Sequence, residues 1–264
     1  RAALVHPQIA IVGSRNPTAA GKVNAQAFAS ALAHAGLAVT SGLALGIDGA
    51  AHQGALDAGG ITIAVAGTGL DRVYPPRHRA LAHAIVARGA LVSEFPLGTP
   101  PRAEHFPVRN RLISGLSLGV LVIEAALQSG SLITARLAGE QGREVYAVPG
   151  SIHAPQARGC HALIRQGAKL VETAADVLEE LKPLAQVVLS TASAASECVL
   201  APEEEKFLTL LGYDPVTIDA LVEHSGLTTP DVSSMLSRLE LRGLVAHGAG
   251  GTYQRLGGMG GTHG

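Results

Sequence analysis

The sequence predicts a doubly wound α/β fold, with a mostly parallel sheet, followed by a small C-terminal winged-helix domain. Three observations carry this. Short apolar runs alternate with helical patterns from residue 8 to about residue 182. The runs hold few polar residues, as strands buried on both faces must. Most runs end in Gly-containing loops, where a parallel sheet turns into its next helix.

The elements follow in order. "QIAIVGSR" (8–15) reads as a strand ending in a Gly turn, and "TAAGKVNAQAFASALAHAG" (18–36) as a helix closed by Gly36. "LAVTSGLALG" gives a strand and loop, and "IDGAAHQGALDAG" a helix ended by Gly59. "ITIAVAGTG" (61–69) is a strand into a second Gly loop, "RHRALAHAIVARG" a helix and "ALVSEFP" a strand. "RNRLISGLS" then reads as a helix beginning at Arg109, and "GVLVIEA" as a strand. "SLITARLAGEQG", "EVYAVPG", "CHALIRQG", "AKLVE" and "AADVLEELKP" continue the alternation to a closing helix. That makes about seven strands, a doubly wound count.

The pattern changes after 182. Residues 183–201 are rich in Ala and Ser without a clear period and read as a linker. Residues 202–256 give three short helices and two strand-like pieces around a Gly turn, a helix-turn-helix with a wing. Residues 257–264, "GGMGGTHG", read as a flexible tail. Residues 1–182 are the Rossmann-like domain.

Composition narrows the function classes. Hydrophobic residues make up 47%, charged residues 16% and aromatics 3%, so a large core is expected and disorder is not. The net charge of −1 is not that of a general nucleic-acid binder, but the charge is divided unevenly. Residues 1–182 carry 16 Lys and Arg against 12 Asp and Glu, a balance of +4. Residues 183–264 carry 4 against 9, a balance of −5. Cys160 and Cys198 lie far apart and match no metal spacing, which predicts a reducing, cytoplasmic setting. No apolar run is long enough for a membrane span, and no signal peptide is visible. The chain begins with Arg rather than Met, so an upstream segment is expected.

Ligands of parallel sheets bind beyond the carboxyl ends of the strands, so the loops there hold the candidate residues. "VGSRNPTAAG" places Gly13, Ser14 and Arg15 before a helix whose free N–H groups suit an anion. It lacks both G-x-G-x-x-G and G-x-x-x-x-G-K-[ST]. "SGLALGIDGAAH" offers Ser41, Gly42 and, in the next helix, Asp48 and His52, the last read as a packed or surface histidine. "AGTGLDRVYPPRHRA" places Arg77 and Arg79 at a helix start, where cations are least favoured and an external anion would help. "HFPVRNR" supplies Phe106, Arg109, Asn110 and Arg111, again read at a helix start. "EAALQSGSLITA" offers Glu124, Gly130 and Ser131. "PGSIHAPQARGCHALI" offers Ser151, Arg158 and His161. Each loop alone reads as an ordinary turn. Together they line one sheet edge that suits several phosphates rather than one. No nucleophile–base pair stands out among them.

In order, "VGSR", "SGLALGIDGAAHQGAL", "AVAGTGLDRVYPPRHRAL", "LVSEFPLGTPP", "HFPVRNRLISGLS", "VIEAALQSGSLITARLA", "GREVYAVPGS" and "GCHALIRQGAKLV" resemble the DNA-processing protein A (DprA, or Smf) family over about 9–182. The region after the linker resembles the winged helix that many members carry. The resemblance implies a cytoplasmic protein of competence and natural transformation. Such a protein binds and protects incoming single-stranded DNA and loads the RecA recombinase onto it for recombination. It implies a homodimer through the Rossmann-like domain, no cofactor, no metal and no catalysis. It also implies a basic pocket at the sheet edge. Arg15, Arg77, Arg109, Asn110 and Arg111 would contact phosphate. Gly13, Ser14, Ser41, Gly42, Gly130 and Ser131 would give backbone or hydroxyl contacts, and Phe106 would stack on a base. Arg109 and Arg111 need not both face the pocket: one can instead brace the site against a carboxylate such as Glu124 or Glu94. Arg109 is favoured for the pocket, and Arg111 is left open between the two roles. The family commonly has Asn where His78 stands here. Members usually carry a small helical region ahead of the sheet, and this chain is expected to lack it.

Two rivals stand beside this reading. One is a nucleotide-processing hydrolase of the lysine-decarboxylase-like type, whose P-G-G-x-G-T-x-x-E signature is replaced here by "EAALQSGSLITARLAGE". The other is a transcription regulator that reads DNA with its wing. Its recognition helix, roughly 229–242, sets Arg238 and Arg242 against Asp231 and Glu240, a poor balance for gripping duplex.

Overall fold

The computed structural model describes residues 2–181, 202–212, 215–241, 244–248 and 251–255. The chain divides into two compact units, Arg1–Thr191 and Ala192–Gly264. The expected linker 183–201 and tail 257–264 lie outside the described residues, as do Cys198 and Arg242.

The first unit is built on seven strands: β1 (Gln8–Val12), β2 (Ala38–Ser41), β3 (Thr62–Val65), β4 (Ala90–Val92), β5 (Gly119–Val122), β6 (Glu144–Ala147) and β7 (Lys169–Leu170). They form one sheet in the order β4-β3-β2-β1-β5-β6-β7, with every neighbouring pair parallel. The helices are α1 (Ala19–His34), α2 (Ile47–Asp57), α3 (Arg79–Arg88), α4 (His105–Leu116), α5 (Gly130–Glu140), α6 (Arg158–Arg165) and α7 (174–181).

Alternation along β1 decides which helices cover which face. All five of its residues are buried. Ile9 and Ile11 pack with Phe28 and Leu32 of α1, Ala51 of α2 and Val177 of α7. Ala10 and Val12 pack with Ile113 of α4 and Ala135 of α5. Each large aliphatic side chain so buried contributes about 1.5–3 kcal/mol. The chain runs outward from β1 to β4, then returns through α4 to β5 on the other side of β1. The strand order therefore reverses between β1 and β5, and a crevice opens beyond the carboxyl ends of those two strands.

One element begins elsewhere than the sequence suggested. α4 starts at His105, four residues before Arg109. Pro107 lies in its first turn, where backbone N–H groups have no intrahelical partner and proline costs little. Arg109 and Arg111 are therefore within the helix, not at its start, and the anion argument from a helix N-terminus does not apply to them.

The second unit has helices α8 (Pro202–Leu211), α9 (Ile218–Ser225) and α10 (Thr229–Leu241). Strands β8 (Val216–Thr217), β9 (Val245–His247) and β10 (Thr252–Arg255) form an antiparallel sheet in the order β8-β10-β9. Its core gathers Phe207, Leu211, Leu221, Leu236 and Leu239. This is a winged helix. The two residues of β8, too few to carry a period, add a third strand to the expected pair. Among the described residues, no helix is long and apolar enough to cross a membrane.

Candidate nucleic-acid interface

A cleft of about 680 Å³ opens at the point where the strand order reverses. Gly13, Ser14 and Arg15, after β1, form one wall, and Ser129, Gly130 and Ser131, after β5, form another. Phe106, Arg109 and Asn110 of α4 lie between them, with Tyr74 and Arg102 on neighbouring loops.

Glu124 fixes the Arg15 wall at two points. Ser14 N–H donates to the Glu124 carbonyl at 2.7 Å. The Glu124 carboxylate accepts from Thr18 N–H at 2.9 Å and from Thr18 Oγ1 at 2.6 Å. Thr18 in turn caps α1 by accepting from Gly21 N–H at 2.9 Å. Gly13 lies so close to its surroundings that a Cβ there would come within 2.7 Å of Ile47 Cγ1. Arg15 is exposed above this anchored loop.

Arg109 forms the floor. It is only 3% exposed. Its Nη1 donates to the Val65 carbonyl at 2.6 Å, and its buried Nε has no partner. Burial lowers its pKa to about 10; Asp48 opposes that shift and Arg15 adds to it. Asp48, buried in the first turn of α2, accepts from Gly42 N–H at 3.1 Å and Ala44 N–H at 3.3 Å. Burial raises its pKa, against the field of Arg109 and those two N–H groups. Gly42 makes room for the guanidinium: a Cβ there would lie 2.1 Å from Arg109 Nη1. The next residue, Leu43, takes a left-handed φ of 60°. Such strain costs about 1–3 kcal/mol. It is held by burial of Leu43 and by His78 Nδ1–H donating to its carbonyl at 2.9 Å.

Deeper still, His52 is fully buried, donating from Nδ1 to Thr62 Oγ1 at 2.6 Å, and Thr62 donates to the Val39 carbonyl at 2.7 Å. Burial, with His78 and Arg109 adding, lowers its pKa to about 3. It is a neutral core histidine.

An aromatic pair and the start of α5 complete the cleft. The rings of Tyr74 and Phe106 meet at 5.6 Å between centroids, tilted by 38°. Arg15 Cζ lies 5.7 Å and Arg109 Cζ 6.0 Å from the Phe106 centroid, within reach of a cation–π attraction. At α5, Ser129 caps the helix by accepting from Ser131 N–H at 3.3 Å, and their hydroxyls bond at 2.7 Å. Nothing stands within 4 Å of where a Gly130 Cβ would be, so this helix start is open toward the cleft. Asn110 Nδ2 donates to the Gly130 carbonyl at 3.4 Å and ties α4 to α5.

Of the residues singled out from the sequence, Gly13, Ser14, Arg15, Phe106, Arg109, Asn110, Gly130 and Ser131 converge on this cleft. Four do not line it. Ser41 is buried and donates to the Ile11 carbonyl at 2.6 Å, so its hydroxyl is engaged by the neighbouring strand. Gly42 lies beneath Arg109. Arg111 is half exposed and pairs with Glu94. Arg77 is exposed on the short 3-10 helix Pro76–His78. The expected brace is therefore divided differently. Glu94 does take Arg111, but Glu124 holds Thr18, and the carboxylate facing Arg109 is Asp48. Tyr74, Arg102 and the Asp48 partnership went unread. One Tyr among only four, set ahead of two prolines, and an Arg in the Pro-rich "TPPRAEH", were the available signals.

Comparison with known proteins gives consistent matches. The family model for DNA recombination-mediator protein A matches residues 2–182, and that for the DprA winged helix domain matches 191–251. Protein Smf of Escherichia coli is 46% identical over 94% of this chain and 68% of its own length. The DNA processing protein DprA of Streptococcus pneumoniae is 48% identical over 68% of this chain and 63% of its own. The X-ray structure of the pneumococcal DprA superposes with a TM-score of 0.63 at 47% identity, over 67% of this chain and 62% of that one. DNA processing protein A from Helicobacter pylori, solved for its single-stranded DNA binding mode, also gives 0.63, at 30% identity over 69% of this chain and 83% of that one. With the sheet, the wing and both family matches in agreement, the chain belongs to the DNA recombination-mediator protein A (DprA/Smf) family.

Proposed function

We propose that this cleft binds single-stranded DNA. We further propose that the chain serves natural transformation by protecting incoming strands and loading the RecA recombinase onto them, as a homodimer through its Rossmann-like unit. One observation carries the binding reading. Arg15 and Arg102 are exposed at the cleft with no carboxylate partner among the described residues, while its one lining carboxylate, Asp48, is buried and lies in the field of Arg109. The mouth of the cleft is thus cationic, beside an open helix start and an aromatic pair. Cations neutralise phosphates, the positive end of the helix dipole favours an anion, and aromatic faces receive bases. Arg77, exposed nearby in sequence to Tyr74, is the candidate for a further phosphate.

The hydrolase reading has less support. Of the two carboxylates in "EAALQSGSLITARLAGE", Glu124 holds the Thr18 cap and Glu140 pairs with Arg136 at 3.7 Å. The steps that involve RecA and the homodimer rest on family membership. The binding step is tested by titrating labelled oligo-dT and a duplex of equal length. The single strand should bind tighter, with little dependence on base sequence. Equal affinity for the duplex would reject the reading.

A further inference from the structure

We infer that Tyr74 is the principal base-stacking surface of the cleft, the residue by which it prefers unpaired bases to a bare sugar–phosphate chain. The inference rests on the single-stranded DNA reading above. Phe106 was the expected stacking residue, but its ring is already engaged. Arg15 and Arg109 both stand over it, and the Gly67 backbone lies behind, where a Cβ would come within 3.0 Å of Phe106 Cδ1. Tyr74 contacts the Phe106 ring directly, leaving no gap for a base between the two. Yet Tyr74 remains 46% exposed. Phe106 is partly buried, so the more exposed aromatic ring at the cleft is Tyr74.

The loop that carries it is held in place. Thr68 Oγ1 donates to the Arg72 carbonyl at 3.1 Å, and Ser93 Oγ to the Thr68 carbonyl at 2.7 Å. Gly69 N–H donates to the Thr99 carbonyl at 3.1 Å. Beyond Tyr74, the His78–Leu43 bond fixes the other side. A ring on an anchored loop loses little freedom when a base stacks on it. Every base offers a π-face, so the contact tolerates sequence. Bases in a duplex are stacked on one another, so it disfavours duplex.

The test uses the full chain and two ligands: oligo-dT, and an abasic deoxyribose-phosphate oligomer of the same length. Tyr74→Leu should weaken oligo-dT binding on the order of tenfold. Tyr74→Phe should bind like wild type. All three proteins should bind the abasic oligomer alike, with unchanged salt dependence. The chain has no Trp, so Tyr74→Trp provides a single tryptophan that can be excited apart from the remaining tyrosines, its emission expected to be quenched by oligo-dT but not by the abasic oligomer. Wild-type affinity of Tyr74→Leu for oligo-dT, or an equal loss on the abasic oligomer, would overturn the role of Tyr74 while leaving the DNA reading intact. Folded wild-type protein that binds neither oligomer would overturn both.

Discussion

The sheet edge of the first unit and α10 of the second are both surfaces of a shape that can meet nucleic acid, yet their charges are arranged in opposite ways. At the sheet edge, Arg15 and Arg102 are exposed and unpaired among the described residues, and the nearby carboxylate is buried. On α10, Asp231 serves the helix start, accepting from Thr228 Oγ1 at 2.5 Å while its own N–H donates back at 3.4 Å. Arg238 of the same helix lies against Met235, with Nη2 at 3.5 Å from Sδ. The region that contains α10 carries a balance of −5. A fold that can present a helix to a groove grips no polyanion unless its cations are in surplus and available. On this contrast the proposed DNA affinity belongs to the first unit rather than to α10.

The largest expected effect separates bracing from gripping. Arg109→Ala removes the buried donor to the Val65 carbonyl and a charge whose field lies on buried Asp48, and should destabilise the first unit by about 1–3 kcal/mol. Arg111→Ala breaks a half-exposed pair with Glu94 and should cost about 0–1 kcal/mol. Chemical denaturation of both variants checks this. Equal losses would mean that the two arginines do not divide the work as their burial implies.

Acid should act on the first unit about as strongly. The unfolded His52 side chain takes a proton near 6.5, the folded one only near 3. Between those values the unfolded chain binds more protons, so stability falls as pH falls through that window and is retained above it. From pH 7 to pH 4 the loss from His52 should reach about 3 kcal/mol. His52→Asn keeps an N–H for Thr62 but does not titrate, so its stability should fall less over the same range. An unchanged acid slope in that variant would show that His52 is not the group responsible.

A smaller effect sharpens the comparison between units. Arg238→Ala, on α10, should leave affinity for oligo-dT and its salt dependence within error of wild type. A loss comparable to that of Arg15→Ala would place DNA on the second unit as well and break the contrast.

Much of this was legible in the sequence, and the rest for physical reasons was not. The sheet was readable because strands buried on both faces, such as "QIAIV", must be continuously apolar. Strand alternation placed the loops at Gly13 and Gly130 at carboxyl ends of strands, but the reversal of order between β1 and β5 enters only with the strand pairing. Ser41 looked like a ligand group because it ends a strand. Its partner, the Ile11 carbonyl, is 30 residues away and enters only through the pairing of β1 with β2. Arg109 and Arg111 were not separable by type. Two positions apart on a helix, they point to nearly opposite sides, and which side faces the sheet depends on where α4 starts. Pro107 obscured that start by resembling a boundary.

The most direct measurement is the salt dependence of oligo-dT binding by the full chain, wild type against the Arg15→Ala/Arg102→Ala double variant. Each phosphate neutralised on a single strand contributes about −0.7 to the log–log slope. Both arginines are exposed, so the double variant should melt like wild type while its slope becomes shallower by up to about 1.4 and its affinity falls. A folded double variant with the wild-type slope and affinity would contradict the placement of DNA in this cleft.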